Sequence, residues 1–153
     1  GVYLMKKKII ILICTILILI ILCFLLYNKT TDICNIGDNE DVFIERLTDS
    51  QYNYSVIHFE NYDSYIVDSA WLYGVLGDYN IKISNSSINQ ISFTTNNSYI
   101  NYKKMYLYIC INFGAPYNKQ NTEIFDGYFF NKNNREIALY INKNDNSMSV
   151  IYK

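Results

Sequence analysis

The chain has 153 residues, 50% of them hydrophobic and 18% charged, with a formal net charge of −1. That length holds one modest domain and excludes a multidomain enzyme, while sixteen Tyr and eight Phe exclude a chain that never packs. The near-neutral balance lacks the basic footprint of a nucleic-acid binder, and one His with four Cys leaves too little material to expect a metal or a cofactor.

Residues 1–8 read as a short cytoplasmic segment, with residues 1–4 upstream of a natural start at Met5 and with Lys6, Lys7 and Lys8 as its charge. Residues 9–26 follow, eighteen positions of which fifteen are Ile, Leu or Phe. As a helix they measure about 27 Å, close to the ~30 Å hydrocarbon core of a bilayer. Tyr27 suits the interface, so residues 9–27 are expected to be a transmembrane helix. The run is longer than a secretory h-region and lacks a pair of small residues at a cleavage site, so an uncleaved signal anchor is expected, with a cleaved and secreted form as the alternative. Three Lys precede the run and Asp32, Asp38, Glu40 and Asp41 follow it. The positive-inside rule therefore places the N-terminus in the cytoplasm and the rest outside a plasma membrane crossed once.

Residues 28–38 read as a polar stalk, and residues 39–153 as an extracytoplasmic β-rich domain. An Asp or Asn cap at 38–39 and the acids Glu40 and Asp41 predict a short helix through Leu47. Residues 52–60 predict a strand. Residues 64–76 fit a helical stripe of Ile66, Val67, Ala70, Trp71, Tyr73 and Val75 closed by Gly77, with a strand as the alternative. Six runs rich in Ile, Val, Tyr, Phe and Thr then predict strands at 79–84, 88–95, 99–113, 123–130, 136–142 and 148–152, separated by Asn-rich turns. The expected fold is a small α+β, mainly antiparallel-β domain, six or seven strands in a meander with one or two short helices. No internal repeat is visible.

Residues 99–113 carry the main functional expectation. Strict alternation puts Met105, Leu107, Ile109, Ile111 and Phe113 on one face and Tyr102, Lys104, Tyr106, Tyr108 and Cys110 on the other. Ile137, Leu139 and Ile141 supply a matching core face on a later strand, with Ala138 and Tyr140 opposite. Tyr106, Tyr108 and Tyr140 then form an aromatic, partner-binding face; the alternative is that Val42, Phe43, Leu47, Trp71 and Leu72 cover it internally.

Charge is uneven. Residues 30–80 hold ten acids and one base, Arg46; residues 81–153 hold eight bases and four acids. An acidic layer stacked on a mildly basic sheet accounts for this, and a basic patch of Lys103, Lys104, Lys119 and Lys132 meeting an anionic envelope polymer is the alternative. Cys34 and Cys110 are a candidate disulfide closing about 77 residues. His58 is the one general base of the usual kind, with Glu60 on its face of a strand, but no nucleophile elbow accompanies it. The sequence thus predicts a membrane-anchored, non-catalytic domain that binds a protein or an envelope component. An accessory subunit of a membrane complex is the alternative, and a small hydrolase using His58 a more remote one.

Overall fold

A computed structural model describes residues 2–27, 30–31 and 33–153, with the side chains of the first helix described over residues 8–22. In chain order the elements are α1 (Val2–Tyr27), α2 (Glu40–Asp49), β1 (Tyr54–His58), β2 (Asp63–Leu72), β3 (Val75–Ser84), β4 (Ser87–Asn96), α3 (Tyr99–Phe113), β5 (Asn118–Asn121), β6 (Phe125–Lys132), β7 (Arg135–Asn142) and β8 (Ser147–Tyr152). The eight strands form one antiparallel sheet in the order β1-β2-β3-β4-β8-β7-β6-β5. From α2 onward the chain writes the same unit twice, a helix and then four strands. The two units join where β4 pairs with β8, with Phe93 opposite Val150. The sequence shows no repeat, yet the fold has one.

Both helices lie on one face of the sheet. Tyr65, Ile81, Ile91, Tyr152, Ile137 and Phe130 are cross-strand neighbours in one continuous row, and all but the half-buried Tyr152 are buried. Over one end of that row sits α2, whose Phe43 and Leu47, one turn apart, are fully buried; Phe43 meets Tyr65 edge-on at 5.2 Å. Burying two such side chains stabilises by roughly 1.5–3 kcal/mol each. As expected, the helix is capped: the Asn39 side chain accepts from the Asp41 amide at 2.9 Å, and Glu40 and Asp41 complement the dipole.

Over the other end of the row sits α3, and here the expected strand at 99–113 is overturned. Fifteen residues with Met105 and Ile109 buried, and Leu107 and Ile111 53% and 70% exposed, follow a period near 3.6, not 2. The start is set by Ser98, whose hydroxyl accepts from the Asn101 amide at 3.1 Å, and the end by Gly114 at φ +86°, a conformation that favours glycine. Residues 64–76 go the other way: they are strand, turn and the start of the next strand. Tyr65 and Val67 face the core, a bulge at Asp68 and Ser69 shifts the register, and Ala70 and Leu72 then resume the inward face. Gly77 is thus an interior strand residue, and Gly74 is the second residue of a turn whose first, Tyr73, has φ +51°. The four polar residues of β5 were not anticipated, since all of them are exposed and carry no hydrophobic signal.

Residues 33–38 are a strap rather than a free stalk. Ile33 is 1% exposed, the Gly37 amide donates to Ile88 and the Ile88 amide to Asp38. Just before them, the Thr31 amide donates to the Trp71 carbonyl at 2.7 Å. Residues 28 and 29, where the stalk was expected to begin, and Asp32 lie outside the described residues, as do the side chains of Lys6, Lys7 and Cys23. Among the described residues no helix is long and apolar enough to cross a membrane. The apolar side chains described in α1 end at residue 22, a run from residue 9 of about 21 Å, and the side chains of residues 23–27 of the expected span fall outside the described residues.

Candidate functional site

Because α2 and α3 sit on one face, the opposite face of the sheet carries no second layer among the described residues. Its character changes across the sheet. Between β3, β4 and β8 the cross-strand neighbours on that side are polar: Asn80 opposite Ser92, Lys82 opposite Gln90, Asp78 opposite Thr94 and Thr94 opposite Ser149. Between β8, β7 and β6 they turn apolar, with Ile151 opposite Ala138 and Ala138 opposite Phe129.

Tyr140 is the centre of this apolar part. It lies opposite Gly127 in the register, and Phe125 and Phe129 flank it, each edge-on with centroids 5.6 Å away. The rings of Phe125 and Phe129 also close over Gly127, where an added Cβ would meet them at 3.4 and 3.2 Å. The three aromatics therefore do structural work in shielding a glycine backbone, and they leave an aromatic surface that the 64% exposed Tyr117 adjoins. Phe125 and Phe129 were missed in the sequence because the glycine between them disguises the alternation of β6.

Tyr106 and Tyr108 do not share this surface. Both belong to α3, on the covered side of the sheet. Tyr106 is half-buried against Tyr128 and Phe130, with centroids at 5.4 and 6.1 Å, and burial, followed by the neighbouring Cys110, pushes its hydroxyl pKa up. Tyr108 stacks on Tyr73 at 3.6 Å. The expected face of Tyr106, Tyr108 and Tyr140 is thus divided between two sides of the sheet, because its first two members lie on a helix.

The remaining expected residues are scattered. His58 ends β1 at an open edge, its side chain 76% exposed, and its Nδ1 lies 2.8 Å from the Asp63 carboxylate across the hairpin; Asp63, not Glu60, is its partner. Cys34 lies in the strap and Cys110 near the end of α3, both half-buried, and no S–S bond joins them. Among the described residues no group of three or more His, Cys, Asp or Glu side chains could hold a metal. The lysines of the expected basic patch are engaged locally: Lys103 lies over Tyr99 and Tyr102, Lys119 over Tyr128, Lys104 donates to the Gly74 carbonyl and Lys132 to that of Asn112.

The acidic and basic parts are side by side, not stacked as expected. Residues 39–98, the first unit, hold eight acids and two bases, and residues 99–153, the second, hold four acids and seven bases. The described polar bridges stay within a unit, the His58–Asp63 hydrogen bond in the first and the Lys143–Asp126 ion pair in the second, with Arg46–Asp38 tying α2 to the strap.

Comparison with protein families, with curated proteins and with solved structures gives no match, so the functional reading rests on this geometry.

Proposed function

We propose that the chain is a single-pass membrane protein whose outer domain binds a protein or envelope component through the open face of its sheet. In this reading residues 9–27 cross the plasma membrane, residues 1–8 are cytoplasmic, and the strap and domain lie outside. The continuous 26-residue α1 supports the anchor, together with its aliphatic side chains: from Ile9 to Leu22 each is 48–61% exposed, with no layer of the domain over them. Fourteen consecutive positions without an ionised group, wrapped on all sides by Ile and Leu, are costly in water and favourable in hydrocarbon.

The observation that carries the binding reading is the one-sided covering of the sheet, which leaves Tyr140, Phe125, Phe129 and Ile151 facing outward. Aromatic side chains bury large areas with few rotatable bonds and make good anchors at interfaces. The test is copurification from native membranes. Full-length chain should resist extraction by alkaline carbonate, and a reporter active only in the cytoplasm, fused after Lys153, should stay silent. Tyr140→Ser with Phe129→Ser should lose the partner at a stability cost of about 1–2 kcal/mol, leaving a folded domain. Carbonate extraction of the chain would remove the anchor, and undiminished copurification by the double variant would remove the face.

A further inference from the structure

Two adjoining cavities lie on the covered side, at the C-terminal end of α3. The first, about 260 Å³, is walled by Thr31 and by Cys34 of the strap and floored by Leu72, Tyr79 and Ile91, with Phe113 of α3 beside them. Arg135, Glu136 and Lys153 stand in its lining too. The second, about 560 Å³, is more open and is lined by Tyr108, Asn112, Asn133, Lys132 and Arg135. Tyr73, Phe113 and Arg135 line both, so the two are one cleft, with a floor of apolar side chains at one end and two bases at the other. Every ionisable side chain but Tyr in the second cavity is a base, and among the described residues Arg135 makes no ion pair.

One of the three residues that line both cavities is held in an uncommon backbone conformation. Tyr73 has φ +51°, a conformation unusual for a bulky side chain and costing of order 1 kcal/mol. It is fixed there from three sides: its ring stacks on Tyr108 at 3.6 Å, its hydroxyl meets that of Tyr152 at 2.6 Å, and its amide donates to Thr30 Oγ1 at 3.1 Å. The bend it makes places one aromatic wall across both cavities.

We propose that this cleft binds an anionic amphiphile, with its apolar tail between Leu72, Ile91 and Phe113 and its phosphate or carboxylate head between Lys132 and Arg135. The head belongs in the second cavity because Lys132 and Arg135 are the described charged side chains in its lining. A planar guanidinium grips such an oxyanion through two parallel hydrogen bonds. The volumes agree: the enclosed end falls just under the ~300–1,000 Å³ of ordinary ligand sites, enough for a short tail. A membrane lipid and a free amphiphile share this chemistry. Thr30, in the cleft wall, is three residues from the end of α1, a reach of at most ~11 Å along the chain. If α1 crosses a bilayer, the cleft opens at its surface. Only that lipid source rests on the membrane reading; the cleft itself does not.

The test uses full-length chain in nanodiscs of phosphatidylcholine, with octyl phosphate as probe and octanol as its uncharged counterpart. The readout is the rate at which N-ethylmaleimide alkylates Cys34, followed by peptide mass spectrometry. Octyl phosphate should slow it about fivefold or more, as filled pockets exclude solvent and reagent, and octanol should not. Arg135→Gln with Lys132→Gln should need about tenfold more octyl phosphate for the same protection, while Arg135→Lys retains protection and shows that the site still folds. Discs containing phosphatidylglycerol without octyl phosphate separate the sources: slowed alkylation identifies a lipid, and unchanged alkylation a free amphiphile. Equal protection by octanol, an unchanged double variant, or no protection by either anionic compound would overturn the cleft. Protection retained in a chain that fails to insert would remove the anchor and leave the cleft standing.

Discussion

A methyl group at Gly77 would strike the Thr94 carbonyl oxygen and lie 2.7 Å from the Phe93 ring, and neither backbone nor buried ring can yield cheaply. Gly77→Ala should therefore destabilise the domain by about 2 kcal/mol or more, measured by denaturant unfolding, although the residue is ordinary strand. The sequence marks Gly77 as special but misplaces the reason, because a glycine that stops a helix and one that admits a neighbouring strand look identical without their neighbours. Tyrosines carry the second residue-scale consequence. Burial first, and then Tyr73, holds the Tyr152 hydroxyl well above its ordinary pKa of 10.0, and burial raises those of Tyr65 and Tyr102 as well. In the unfolded chain these groups ionise near pH 10. The folded state keeps its protons longer, so stability is full below pH 10 and falls as pH rises through and beyond it. Absorbance titration should show a buried subset of phenols ionising only with unfolding, after the exposed ones such as Tyr117, and Tyr152→Phe should flatten the alkaline loss; a loss unchanged by that variant would count against burial as its cause.

At the scale of elements, α3 separates two readings of one stretch of sequence. Alternation puts Leu107 and Ile109 on the same buried face, whereas the helix buries Ile109 and leaves Leu107 53% exposed. Ile109→Ala should cost about 2–4 kcal/mol and Leu107→Ala no more than about 0.5, by chemical denaturation of the full chain. Equal, large costs would restore the strand. The signals for a helix were present: a run of fifteen residues is long for a strand, Ser98 is a good cap, and Gly114 with Pro116 is a good stop. They were outweighed because Ile and Tyr favour strands and because every second residue from Met105 to Phe113 is apolar. The β3–β4 and β6–β7 hairpins are legible for the opposite reason. Asn85–Ser86 and Asn133–Asn134 sit at positive φ in two-residue turns, where Asn is at ease, and the alternation of β7 reads directly as Ile137 and Leu139 inward and Tyr140 outward. The cleft was not legible, since its parts come from the strap, β2, α3 and the turn between β6 and β7.

For the whole molecule, the repeated order of elements and the one-sidedness go together. Two helix-and-four-strand units meeting at β4 and β8 put both helices on one face, α2 over the Tyr65 end of the row and α3 over the Phe130 end, with α3 reaching across the seam to Tyr73 and Gly74. The sequence hides the repeat because equivalent positions keep only apolar character, Phe43 and Leu47 in one unit against Met105 and Ile109 in the other, while net charge changes sign between the units. What that order leaves over is a sheet face with no layer upon it among the described residues, apolar around Tyr140 and polar beyond β8. Site-specific photocrosslinking in native membranes tests that claim most directly. A photoreactive aromatic residue is placed at Tyr140 in one chain and at Tyr106 in another, and the two are irradiated side by side. The open-face account predicts intermolecular adducts from position 140 and only intramolecular products from 106, where Tyr128 and Phe130 surround the ring. Adducts of equal yield from both positions, or from 106 alone, would contradict it.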